Sequence, residues 1–417
     1  MRPQLFVVAF LLACGHPAAV SPTRTEVPAP AKMPDPTLDP CAPETGPAMN
    51  ALRAFRVELR LAEAKDSRAF QSSFQDRVAA FHGKNRTVLA EQAVWALKRM
   101  PKLALPDLDT MPDDPRMTEE VTARMRTILA VDQEKDGVSL QSFMGLLSVD
   151  PIRAFAGIRA IVLSAAGSPG DPDRMRENIL EGLAPPRIVR LNDDVDHPVL
   201  AMPKRSDIFV VWFDRDARQG NFMPKRIRWV RRDPPLTPSN AIKTAEEAFL
   251  SFATAVEASQ PEKGGTGADL STRILAQVGE LGKQWLDPHA PLLREHGICQ
   301  CKKLPPSALP DFSDWKEEEG RWNLVFQTSM FPRLRWDPLQ AFMFLRATVD
   351  SRTMSVGDYG GLAMVDSLVP PTVFRATDDL TDPVLFLVEG DTALVVVFSS
   401  SPDRGYFPTQ VRYFRRM

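Results

Sequence analysis

The stretch "PPRIVRLNDDVDHPVLAMPKRSDIFVVWFDRDARQGNFMPKRIRWVRR", residues 185–232, returns as "PPTVFRATDDLTDPVLFLVEGDTALVVVFSSSPDRGYFPTQVRYFRR", residues 370–416. Pro185-Pro186, Arg190, Asp193-Asp194, Pro198-Val199-Leu200, Val210-Val211, Phe213, Gly220, Phe222 and Arg231-Arg232 all recur, with one residue gained or lost near Met223. A repeat of this length points to one structural unit written twice. Within it, "DIFVVWF" (207–213) and "TALVVVF" (392–398) are β-branched and aromatic runs. Each is followed by turn-forming residues, "DRDARQGN" (214–221) and "SSPDRG" (400–405), so both read as strands.

Outward from the repeat, Asp150-Pro151, Ala154-Phe155 and Arg159-Ala160 answer Asp337-Pro338, Ala341-Phe342 and Arg346-Ala347, and Gly170-Asp171 answers Gly357-Asp358. Further back, "ALRAFRVELRLAEA" from Ala51 resembles "AEEAFLSFATAVEA" from Ala245. Ala54, Phe55, Leu59 and Ala62 recur at helical spacing, and further helices are expected over 70–81, 86–100, 119–131, 241–259 and 270–286. "AFMFLRATVDSRTMSV" (341–356) reads as a long strand entering a turn at Asp350 to Arg352. Helices followed by strands predict an α+β fold of two tandem, divergent repeats, each with N-terminal helices and then a mostly antiparallel sheet. The repeats span residues 50–232 and 240–417, joined by the linker "DPPLTPS" (233–239).

At the other end of the chain, Leu5 to Leu12 form an uninterrupted apolar block behind Arg2. This is the pattern of an export signal and is far shorter than the roughly 20 apolar residues a bilayer span needs. No later segment approaches that length, so the body is expected to be soluble. Leu11-Leu12-Ala13-Cys14 resembles the lipobox of bacterial lipoproteins. The resemblance covers the first 14 residues. It implies that residues 1–13 are a signal peptide cleaved after Ala13 and that Cys14 carries the acyl chains, palmitate among them. Several chains make a lasting anchor because each buried methylene contributes about 0.8 kcal/mol. Gly15, not Asp, follows the cysteine. Under the resemblance this favours the outer membrane of the cell envelope, with the body in the periplasm or at the surface. Residues 14–49 are rich in proline and poor in large apolar side chains, and read as a disordered stalk.

The charge balance argues against a polyanion partner. Lys and Arg number 51 and Asp and Glu 53, for a formal net charge of −2, which offers no bulk attraction to nucleic acid. The basic and aromatic endings "RWVRR" and "RYFRR" read as strand ends with solvated arginines. Expected partners are the membrane, through the anchor, and another envelope protein or a small ligand.

Candidate chemistry is sparse. His289, His296, Cys299 and Cys301 lie in "DPHAPLLREHGICQC" (287–301) and could form an N2S2 metal or redox site, although C-x-C crowds two ligands. An exported chain also favours disulfides, and with Cys14 acylated the remaining thiols allow Cys41 to pair with Cys299 or with Cys301. Asp193-Asp194 and Asp378-Asp379 read as turn-closing residues. Ser313 and Lys316 match S-x-x-K without its companion motifs, and "DQEKDG" (132–137) begins like a calcium loop but meets Phe143 where the bidentate Glu belongs. His82 and His197 have no partner readable from the sequence. No catalytic motif is present, so no cofactor and no enzymatic role are expected. The reading is a lipid-anchored envelope protein with a binding or scaffolding role.

Overall fold

The computed structural model describes residues 41, 46–105, 107–130, 150–166, 187–216, 221–259, 267–318, 332–353, 365–366, 369 and 371–417. The lipobox, most of the stalk and the calcium-loop-like segment lie outside them. The architecture is α+β, with helices preceding two antiparallel sheets. Two compact units form, one from Ser72–Thr237 and one from residues up to Gln71 together with those from Pro238 onward.

In the Ser72–Thr237 unit, the helices are α2 (Ser67–Arg99, entering from the preceding unit), α3 (Glu119–Ala130) and α4 (Pro151–Ala165). The two helices expected over 70–81 and 86–100 are therefore one. Helix α4 starts sharply because the Asp150 carboxylate accepts the N–H groups of Ile152 and Arg153 at 2.9 and 3.2 Å, and Pro151 supplies a preset φ at the first turn. Strands β1 (Val189–Arg190), β2 (Val199–Pro203), β3 (Asp207–Arg215) and β4 (Phe222–Arg231) follow in sequential antiparallel order. Alternation along β3 sends Phe209 toward α4, where it meets Phe155 edge-on at 5.5 Å. Ile208 and Val210 point to the opposite face. That second face is covered by the segment "PKLALPDLDTM" (101–111). The segment bonds to Arg190 of β1 through Pro101 and Leu103 and crosses with Leu103, Leu105, Leu108 and Met111 on the apolar surface. It ends bonded to Trp229 and Arg231 of β4 through Asp114 and Pro112.

In the other unit, α1 (Pro47–Lys65) is joined by α5 (Ala245–Ala258), α6 (Gly267–Trp285), α7 (Ala290–Lys303) and α8 (Pro338–Thr353). Helix α5 carries a capping box in which Thr244 and Glu247 satisfy each other's backbone N–H groups. The sheet runs β5 (Trp315–Glu318), β9 (Gly405–Arg416), β8 (Thr392–Ser401), β7 (Val384–Glu389), β6 (Phe374–Arg375). Ala341, Phe342, Leu345 and Val349 of α8 pack on Leu385, Leu387, Leu394, Val396 and Phe398. On the far face "PPSALPDFSDW" (305–315) plays the covering part: Pro305 and Ser307 bond to Arg375, and Phe312 stacks on Phe414 at 4.2 Å. Gly390, at φ 61°, lets β7 reverse into β8 in two residues and leaves Glu389 as the last residue of β7.

Three expectations change here. Residues 341–353 are helical, not a strand. Asp337 accepts the Gln340 N–H at 3.0 Å and Pro338 opens the helix, so the cap overrides the β-branched and aromatic content. Helix α1, placed by the sequence in the repeat 50–232, belongs to the unit from Pro238 onward. The one-residue offset between the two matching stretches of sequence falls in the β3–β4 turn. Arg215 pairs with Phe222 and Ser400 with Tyr406, so register matches Phe222 to Tyr406 and not to Phe407. Both sheets then carry a register shift in the same place, opposite Pro224 and Pro408, where a missing N–H costs the ladder nothing.

Candidate functional site

The densest polar constellation lies where α1, α8 and the end of β7 meet. Helix α1 buries Phe55 and Leu59, and with them Arg56, whose side chain is only 6% exposed. Arg56 donates from Nε to Glu389, from Nη1 to the Val369 carbonyl, and from Nη2 to Asp366 Oδ1 at 2.5 Å. Arg346, one turn before Asp350 on α8, donates to Asp366 Oδ2 at 2.7 Å and Glu389 Oε2 at 2.9 Å, and its Nε lies 3.3 Å from Asp350 Oδ2. Asp366 and Glu389 are thus each shared by the two guanidinium groups through charge-assisted hydrogen bonds. On the same helix α1, Arg60 pairs with Glu63.

Arg56 and Arg346, with Arg60 beyond them, face Glu389, Asp366 and Asp350, and burial and charge together separate the acids. Burial alone would raise Glu389, but the guanidinium groups of Arg346 and Arg56 hold its pKa down to about 2. Burial pushes Asp350 up to about 6 against the pull of Arg346, and the neighbouring Glu389 and Asp366 charges add to the rise. Chemically, every fork is committed to an acid or a carbonyl of the chain itself. The arrangement fixes how α1 sits on α8 and β7 and presents no group poised for transfer. Aligning the two halves by their repeat, Arg346 corresponds to Arg159, also buried, whereas Asp350 meets Leu163 and Glu389 meets Lys204. The acids belong to one half alone. The sign reversal between Glu389 and Lys204 at matched positions is the signal the sequence carries.

The Cys and His candidates separate. Cys41 and Cys299 form a disulfide, with Cα atoms 5.0 Å apart. Cys301 is buried and free, and burial pushes its thiol well above the usual range, which makes it unreactive. The C-x-C pair lies on helix α7, where two residues turn the chain by about 200°, so the two sulfurs leave opposite sides. His289 ends a short 3-10 turn, while His296 is buried. Its Nε2 lies 3.5 Å from Asp337 and its Nδ1 3.7 Å from Glu246, with Phe249 edge-on at 5.2 Å. Burial would raise Asp337, but His296, the Gln340 N–H and Arg333 hold it below the usual carboxylate range. The four candidates therefore do not assemble into an N2S2 site. Among the described residues no group of three or more His, Cys, Asp or Glu side chains is arranged to hold a metal ion.

The remaining candidates are turn and surface residues. Asp194 accepts the N–H groups of Asp196 and His197, and Asp379 those of Thr381 and Asp382, so both acidic pairs close turns as the sequence predicts. His197 does have a partner, Asp194 at 2.9 Å, and both are exposed. Burial and the nearby Arg153 and Arg86 lower His82 to about 4, so it is neutral at physiological pH. The Ser313 N–H donates to Asp311, while Lys316 lies on β5 opposite Arg415 of β9. In the strand ends, Arg228 reaches Asp113 at 2.8 Å and Arg412 reaches Glu317 at 2.7 Å, and Arg226 just before them reaches Asp109 at 2.5 Å. Sequence reasoning also missed a partly buried set in the Ser72–Thr237 unit. Arg116 bridges Asp114 and Asp207 at 2.7 and 2.5 Å, lies over the Trp229 ring at 4.1 Å, and Asp207 accepts the indole N–H at 2.9 Å. Among the described residues no helix is long and apolar enough to cross a membrane. Comparison with protein-family models, with curated proteins and with solved structures returns no match.

Proposed function

We propose that this chain is a lipid-anchored protein of the bacterial envelope, held through Cys14, whose folded body has a non-catalytic binding or scaffolding role. The observation that carries the reading is the Cys41–Cys299 disulfide, a bond that persists in oxidising compartments outside the cytosol. It agrees with the export signal and with the order Leu11-Leu12-Ala13-Cys14. Support for a scaffold comes from the polar clusters, whose donors are engaged by the chain's own acids and carbonyls. We further read the two units as divergent copies of one ancestor. The matching Asp-Pro helix starts, the common strand order, the Pro-marked register shifts and the crossing segments "ALPD" at 104–107 and 308–311 support this.

The test is expression in a bacterial host fed a labelled fatty acid. The expected result is label in the protein and recovery in the membrane fraction, both lost in Cys14→Ser. An unlabelled protein with an intact N-terminus and a free Cys14 thiol would overturn the reading.

A further inference from the structure

His296 is buried in α7 with its side chain only 7% exposed, and it faces charged groups from two other elements. Glu246, in the first turn of α5, lies 3.7 Å from Nδ1, and Asp337, just ahead of α8, lies 3.5 Å from Nε2. Gln300, one turn on in α7, brings its amide to 3.3 Å from Nε2, and a half-turn of that amide presents its oxygen to an N–H there. Arg333 is the other cation of the group: it lies over the Phe249 ring at 4.8 Å and acts on Asp337. Cys301 of α7 and Tyr406 of β9 face Asp337 as neutral groups, because burial pushes both well above their usual ranges. A neutral imidazole has one N–H and one bare lone pair, so one carboxylate would face a lone pair in a water-poor space. An imidazolium offers a donor to each, and two cations then balance two carboxylates.

We propose that His296 is a protonated latch: its imidazolium ties the starts of α5 and α8 to α7, and the tie loosens when the ring gives up its proton. The sign follows from the charge each element brings. Docking of α5 adds Glu246 and docking of the α8 start adds Asp337, and both favour the charged ring, so protonation and docking reinforce each other. Burial and Arg333 act the other way, and a carboxylate within 4 Å of each ring nitrogen outweighs them. The contribution is present in full below an ordinary histidine's pKa of about 6.5 and is lost as pH rises through the folded value. Helix α7 also carries Cys299, so the latch secures the helix to which Cys41 is bonded. It needs only the folded chain and is independent of lipidation at Cys14.

The experiment is nitrogen NMR of the full, oxidised chain labelled at its five histidines, with His296→Gln identifying the His296 signals. At pH 7.5 an ordinary histidine is mostly neutral, and the expected result is a proton on both His296 nitrogens. A neutral ring at that pH would sink the latch. Glu246→Gln leaves the Thr244–Glu247 capping box intact and should lower the midpoint of the titration by about one pH unit. An unmoved midpoint would remove α5 from the tie and refute it. Amide exchange, corrected for its intrinsic pH dependence, reads the coupling. Protection of α5 and α7 should fall about tenfold against that of β1 to β4 as pH is raised through the midpoint, and His296→Gln should abolish the change. A fall that persists in His296→Gln would assign the response to another group.

Discussion

At the scale of single residues, Glu389 and Asp350 act on stability with opposite signs. Glu389 has a folded pKa near 2, below the ordinary value, so its contribution is present at neutral pH and is lost as pH falls from about 4.5 toward 2. Asp350 has a folded pKa near 6, above the ordinary value, so it weakens the fold above pH 6 and the penalty is relieved as pH falls toward 4. The network is therefore most favourable between these limits. Replacing Glu389 by Gln leaves two buried guanidinium groups short of a counter-charge, and breaking buried pairs of this kind costs about 3–5 kcal/mol. Denaturant unfolding of Glu389→Gln at pH 7 should show a loss of that size, shrinking below pH 4. An unchanged midpoint would mean that the acid is solvated. None of these roles is visible residue by residue in the sequence, because Asp350 acquires its role from burial beside Glu389 and Asp366, and Glu389 from Arg346 and Arg56, groups that only folding gathers.

Among the elements, the two crossing segments account for why neither sheet has a bare face. A sheet of alternating apolar residues exposes one apolar surface unless something covers it, and here a proline-bearing strip does so without adding a strand across the face. Phe312 is the anchor of one strip, stacked on Phe414 and edge-on to Trp315 at 5.8 Å. Phe312→Ala should destabilise its unit by about 2 kcal/mol, less than a fully buried Phe because the ring is only partly buried. The check is equilibrium unfolding, with dye binding to reveal the uncovered face of β9. No change in either would show the strip to be loosely attached. Helix α8 carries the lesson on legibility. Its composition suggested a strand, but Asp337-Pro338 is the same start signal as Asp150-Pro151, and the local cap outweighed the β-branched side chains.

For the whole molecule, two units with separate cores should respond separately to changes made in one of them. Reducing Cys41–Cys299 removes a cross-link over 258 residues and should lower the stability of its own unit by about 3 kcal/mol. Hydrogen exchange should show the loss in α7 and α1 and leave β1 to β4 unchanged, whereas equal loss in both would indicate a single cooperative block. The α+β class, most helices and the principal strands were legible from periodicity, because side-chain alternation and capping are local properties. So were the acidic turns, whose hydrogen bonds close within three residues. The partner of Cys41, the scattering of the Cys and His candidates around α7, the covering strips and the assignment of α1 to the unit from Pro238 onward depended on long-range packing. Sequence by itself determined most of the helices, strands and turns, with α8 the exception to its composition. Only the tertiary structure decided which charges would share a water-poor space, because burial and counter-charge are properties of neighbours brought together by folding and not of neighbours along the chain.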